Sequence, residues 1–202
     1  VAAAGAGAPF ARKELRYGGQ REAPEFTLFD ARTGYTEGLQ RTAQGPRVFV
    51  QNGKAAPRRE AALPANAALV SDAGFDEFVR RHWADLEAGR TLRFPFLVPS
   101  RLEFLSFRVH KHHEERIDGA TASVIRLNLS GMLGWFLPYI EVAYRKSDRQ
   151  LRRYRGLTNI HDASGATAVA VIEFPDRERE FAARFDLEAL RVEPLVSRCS
   201  NG

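Results

Sequence analysis

Phe75, Phe78, Val79, Trp83 and Leu86 recur at intervals of three and four residues, and Asp76, Glu77, Arg80, Arg81 and Asp85 fall mostly between them. That is the helical period, and it predicts one amphipathic helix over about 73–88 with a single apolar stripe to bury. Ser71 and Asp72 stand where N-caps belong, and Gly89 where a helix stops.

Elsewhere the period is two. Glu25–Phe29, Tyr35–Arg41 and Arg47–Gln51 read as short strands. In the long segment Leu102–Ile117, Leu105, Phe107 and Val109 alternate with Ser106, Arg108, His110 and His112. Thr121–Ser130 returns, Tyr139–Arg145 alternates again, and Gln150–Arg155 and Thr167–Phe174 follow. Thr91–Val98 is β-rich, but Pro95 and Pro99 confine it to an edge or a bend.

The links between these segments are turn chemistry. Asp30–Gly34, Asn52-Gly53, Asp118-Gly119 and Ser147-Asp148 each supply residues that tolerate tight reversals, while Pro57 and Pro64 bracket a loop. Hairpin after hairpin at short spacing argues for an antiparallel meander rather than a parallel sheet with crossover helices. One helix covers one face of such a sheet. The expected architecture is therefore α+β and mainly antiparallel β, a curved meander sheet or half-barrel wrapping the helix. Residues 1–24 read as a flexible Ala/Gly-rich leader, 25–193 as one β-rich domain and 194–202 as an irregular tail. Phe181, Phe185 and Leu190 give the stretch before that tail a weak helical spacing.

Composition narrows the classes. The chain has 202 residues, enough for a sizeable core, and 44% hydrophobic with 27% charged residues is an ordinary globular balance. With 14 Phe and one Met, the core is expected to be aromatic and rigid. The single cysteine, Cys199, excludes an internal disulfide and a cysteine-based metal site. No apolar run reaches the length of a membrane span. The opening Val1–Ala8 looks like the small-residue end of a signal peptide, or like an added flexible leader. The reading taken is a periplasmic or secreted protein.

Net charge is +5. Between residues 145 and 155 stand Arg145, Lys146, Arg149, Arg152, Arg153 and Arg155 against Asp148 alone, so this stretch accounts for the whole excess. Arginine forks suit phosphate and carboxylate groups, and Arg145, Arg149, Arg152, Arg153 and Arg155 are the candidates for contact with an anionic group. The same charges also protect a strand edge from unwanted pairing. No recognised nucleic-acid motif accompanies them, so nucleic acid is disfavoured as a partner.

The most unusual stretch is Gly131–Ile140, an apolar link where a polar loop is expected. Exposed, it is a docking patch or the lip of an apolar cavity; buried, it is core. Trp135, Phe136, Leu137 and Tyr139, with Phe78 and Trp83 of the helix, are the candidate lining of such a cavity.

His110, His112 and His113 crowd one strand, and on regular alternation His110 and His112 point the same way. Two imidazoles are too few for a structural metal site unless another strand adds ligands, so no metal is predicted. Catalytic templates fail. His113-Glu114-Glu115-Arg116-Ile117 lacks the second histidine of a zinc-protease helix, Leu129-Ser130-Gly131 lacks the nucleophile-elbow glycines, and there is no phosphate-binding glycine loop. Glu141 and Glu173 are a possible cross-sheet carboxylate pair of the kind any β protein offers.

Arg152-Arg153-Tyr154-Arg155-Gly156-Leu157-Thr158-Asn159-Ile160-His161-Asp162-Ala163-Ser164-Gly165, running into Val169–Phe174, resembles a family of uncharacterised bacterial secreted or envelope proteins. The resemblance covers about residues 139–175. It implies a strand, a turn and a second apolar strand within an architecture similar to half-barrel lipoprotein carriers, and it transfers no functional residue. Together these readings predict a non-catalytic envelope protein, without cofactor, that holds an apolar or amphiphilic ligand near an anionic surface. The alternatives are an interaction module docking on an envelope protein through 131–140, and a hydrolase with an unrecognised site.

Overall fold

The computed structural model describes residues 8–64, 69–131, 139–162, 166–176 and 187–197. It is mostly antiparallel β with few helices, so the α+β class expected from the pattern holds. The strands form two unclosed sheets, and the chain divides into two compact units.

The first unit comprises Val1–Asp72, Leu97–Glu103 and Ala182–Gly202. Its sheet is a five-stranded meander in chain order: β1 (Ala11–Arg16), β2 (Glu25–Asp30), β3 (Tyr35–Thr42), β4 (Gly45–Asn52) and β5 (Arg59–Ala62). β1 lies within the stretch expected to be a leader, and β5 within the expected loop after Pro57. Neither alternates strongly enough to be seen alone; each is held by its neighbour, Leu15 opposite Phe26 and Ala61 opposite Val48. Phe26, Leu28, Leu39, Val48 and Val50 fill the core.

Gly38 is fixed by its neighbours. A Cβ there would stand 2.1 Å from the Phe26 carbonyl oxygen and 2.6 Å from Cζ of Phe49. The Phe49 ring lies across this bare backbone, and the Arg58 guanidinium lies 3.8 Å from the ring centre. Asn52-Gly53 does not make a two-residue turn. Asn52 remains in β4 opposite Tyr35, and the chain returns only at Arg59, opposite Val50.

The second unit comprises Ala73–Phe96 and Phe104–Phe181. The expected single helix is two, α1 (Gly74–Arg81) and α2 (Trp83–Glu87). His82 between them leaves helical geometry at ψ 18°, with its ring 4.5 Å from Phe78 and its Nδ1 3.7 Å from Asp85. The apolar stripe survives the break, because Phe75, Phe78, Val79, Trp83 and Leu86 are all buried. Asp72 does not cap α1. It has φ 46° and accepts a hydrogen bond from Lys13 Nζ at 2.6 Å. Gly89 does end α2, at φ 77°.

The six-stranded sheet runs in order β11-β10-β9-β8-β7-β6. Its strands are β6 (Leu92–Val98), β7 (Glu103–Ile117), β8 (Ala120–Leu129), β9 (Ile140–Arg145), β10 (Leu151–His161) and β11 (Thr167–Glu173). β6, with Pro95, is an edge as expected. Asp118 and Gly119 form the predicted tight turn, both with positive φ.

One face of this sheet packs on the helices. Trp83 meets Tyr144 edge-on at 6.2 Å, and Ser123 Oγ donates to Glu87 at 2.5 Å. Phe94, Phe96 and Phe107 continue the aromatic contacts. Among the described residues no helix is long and apolar enough to cross a membrane.

Candidate functional site: the outer face of the second sheet

Residues three positions from Ser123 and Tyr144 project to the opposite face, because strand side chains alternate. Those residues are Arg126 and Glu141. They stand opposite each other, and the register continues the row to His110 on one side and Arg155 on the other. Arg108 and Asn128 form the next pair on the same face.

This face carries the most distinctive electrostatics of the unit. Glu141 is buried and accepts from both Nε and Nη2 of Arg126, at 3.1 and 2.8 Å. The Arg126 guanidinium also lies 4.1 Å from the ring centre of Tyr139. Arg108 Nε is shut off from water and has no hydrogen-bond partner among the described residues. Burial pushes His110 below the usual imidazole range, and His112, Arg126 and Arg108 push it the same way. Burial likewise lowers His112, followed by Arg126 and His113, with Glu141 opposing them. Glu141 thus holds Arg126 and acts on His112, while Arg108 and His110 stand beside them on the same face.

His110 and His112 do not alternate as expected. The β7–β8 register shifts between Lys111 and His113, so His112 is the extra residue of a bulge. The three rings stack edge-on in sequence, His110 to His112 at 6.3 Å and His112 to His113 at 4.9 Å. No group of three or more potential metal ligands occurs among the described residues.

Further along the same face, Arg153 Nη2 reaches Glu115 Oε1 at 2.5 Å. Beyond it lies an open groove of about 370 Å³, lined by Ile117, Asp118, Arg152, Arg153, Glu173, Pro175 and Asp176. Arg152 is only 3% exposed and donates to Asp118 Oδ2 at 2.6 Å and to Asp176 Oδ1. The groove's walls are therefore charged rather than apolar.

The basic ribbon predicted for anion contact is largely neutralised from within. Arg145 pairs with Asp148 at 2.5 Å and Asp176 at 2.6 Å, which hold the Arg145 guanidinium above its ordinary range. Arg152 and Arg153 are paired as described above. Arg149 occupies a left-handed turn position, 5.9 Å from the Trp83 ring. Arg155 is exposed, in the Arg126–Glu141 row between Glu141 and Val171 of β11. The sequence ribbon misleads because its acidic partners, Glu115, Asp118 and Asp176, come from elsewhere in the chain.

Of the predicted apolar lining, Trp135, Phe136 and Leu137 lie outside the described residues. Tyr139 is exposed beneath Arg126. Phe78 and Trp83 are core, Phe78 against Phe94 at 4.3 Å and Trp83 against Tyr144, on the face away from Arg126. Glu141 and Glu173 do not pair. Glu141 stands opposite Arg155, and Glu173 opposite Arg153. Arg108 and Arg126 were missed as site residues; the only signal was their alternation with Phe107, Val109, Ile125 and Leu127.

Lys111 and Lys146 belong to the helix side. Both bridge Glu87 of α2 to Glu114 of β7. Partial burial raises Glu87, but hydrogen bonds from Ser123, Lys111 and Lys146 outweigh it and hold its carboxyl below the usual range. No known protein family, curated protein or solved structure matches the chain.

Proposed function

We propose that this chain is a non-catalytic binding protein that takes an anionic amphiphile on the outer face of its second sheet. The observation that supports this reading is the surplus of positive charge around Glu141, with Arg108 Nε withdrawn from water and without a hydrogen-bond partner among the described residues. A guanidinium in that position gains most from an incoming acid group, because a charge-assisted hydrogen bond is worth about 1.5–3 kcal/mol. Arg108 and His110 receive the acid group, and Arg126, already held by Glu141, orients it. Tyr139, the one aromatic residue of the Gly131–Ile140 apolar link among the described residues, supplies the surface for the hydrocarbon. An envelope location belongs to the same proposal and rests on the resemblance of residues 139–175.

The test is titration calorimetry with dodecyl phosphate, dodecanoate and the uncharged dodecyl maltoside. Both anions are expected to bind and the maltoside not. Arg108→Gln is expected to weaken anion binding at least tenfold, the equivalent of about 1.4 kcal/mol. Equal binding of all three, or an unchanged constant in Arg108→Gln, overturns the reading.

A further inference from the structure

β11 is the terminal strand of its sheet, bonded only to β10 among the described strands. Terminal strands are ordinarily guarded by lysine, proline, a bulge or a cover, because their free amides and carbonyls template further pairing. Among the described residues β11 carries no lysine, no proline and no covering element, and the one bulge of its pairing lies on β10. β11 reads Thr167-Ala168-Val169-Ala170-Val171-Ile172-Glu173, and Val169 is 67% exposed, Val171 59% and Ile172 37%. The register shift in the β10–β11 pair falls between Leu157 and His161, leaving five consecutive pairs from Val169 to Glu173 in regular order.

We propose that β11 pairs antiparallel with β11 of a second copy of this chain, joining two six-stranded sheets edge to edge about a two-fold axis at Ala170. The strand is complementary to itself in that register. Val169 falls opposite Val171 twice, on one face. On the other face Ala168 falls opposite Ile172 twice, large against small, and Ala170 meets Ala170. Thr167 falls opposite Glu173, so the strand's one charge never meets its own copy. Shifting by two residues brings Ile172 against Ala170, leaves Val169 opposite Glu173 and unpairs Thr167 and Ala168, so the symmetric register is favoured. A two-fold pairing of this kind is self-limiting, because each copy contributes the same edge. The interface is a single strand pair, smaller than a permanent dimer needs, so the association is concentration-dependent.

Sedimentation velocity between about 10 and 500 μM tests this. A monomer–dimer equilibrium is expected, weakened at least tenfold in Val169→Lys/Val171→Lys, where each lysine meets another across the axis. Both positions are exposed, and an unchanged circular dichroism spectrum shows that the variant is folded. In Cys199→Ser/Ala170→Cys, a short bismaleimide is expected to yield a cross-linked dimer, whereas Thr36→Cys in the same background yields none. A monomer at every concentration, or a dimer indifferent to the lysines, overturns the proposal. Neither result bears on anion binding at Arg108, which is measured separately.

Discussion

Arg153 on β10 and Glu115 on β7 join at 2.5 Å across two intervening strands. Three strand spacings separate them, roughly 14 Å, which only long side chains bridge. What lies beneath is small: Ala143 opposite Arg153, Ala122 opposite Glu115, and Val124 beside them. All three are buried in one cluster with Ile117 packed against it. The ion pair forms a strap over a shallow part of the sheet, and the alanines leave the depth it needs. Each partner is about a quarter exposed, so the charge attraction itself is worth about 1 kcal/mol or less. Glu115→Gln should therefore lower stability by no more than about 1 kcal/mol. Ala143→Leu must lift the strap and should cost about 1–3 kcal/mol. Urea unfolding of the two variants checks the order; a larger loss for Glu115→Gln would reject the steric account.

Gly38→Ala in the first unit should destabilise more than an ordinary strand substitution. The new methyl meets the Phe26 carbonyl as well as the Phe49 ring. A side chain can turn away, but a backbone oxygen in a paired strand cannot. A loss of about 2–3 kcal/mol is expected, and Phe49→Leu in the same chain should recover little of it. Full recovery in the double variant, measured by thermal unfolding, would show that the ring alone was the obstacle.

Which features were legible follows from their range. Asp118-Gly119 was readable because both residues of that turn need positive φ and nothing distant competes. Asn52-Gly53 carries the same local signal and was overruled. Asn52 pairs with Tyr35, and the next loop leans on Gly34, where a Cβ would stand 2.7 Å from the Lys54 nitrogen. The helical stripe was legible to the residue, but its break at His82 was not, since that depends on Phe78 and Asp85. The Arg108–Arg126 face was hidden for another reason. Its members lie on three strands, and their meeting depends on register and on a bulge at His112, neither of which a single strand encodes.

Acidification should act on the second unit in two separate windows. His110 and His112 have folded values below the ordinary imidazole range. The unfolded chain then takes up protons first, so stability is unaffected above about pH 6.5 and declines below it. Glu114 is held down to about 2 by hydrogen bonds from Lys111 and then Lys146. Its contribution is present above the ordinary glutamate value and is lost as pH falls through that value towards about 2. His110→Asn should shrink the first window to the part that His112 contributes and leave the second. Anion binding should move the opposite way, tightening as pH falls below the ordinary imidazole range and the two imidazoles charge. Affinity that weakens on mild acidification would remove the histidines from the site.

The charge pairs of the groove should respond asymmetrically. Arg152 is buried, whereas its partners Asp118 and Asp176 are more than half exposed. Removing the arginine leaves two carboxylates that water readily solvates, and Arg152→Met keeps most of the packed stem. Removing the carboxylates leaves a guanidinium out of water without its counter-charges, a change that costs about 3–5 kcal/mol where burial is complete. Asp118→Asn/Asp176→Asn should therefore destabilise more than Arg152→Met, although it alters only exposed residues. Asp176 also pairs with Arg145, which is accessible enough to be rehydrated, so the excess belongs to Arg152. The triple variant with all three changes should recover stability relative to the double. Chemical unfolding of the four proteins decides this, and a triple variant weaker than the double would show that the acids act elsewhere.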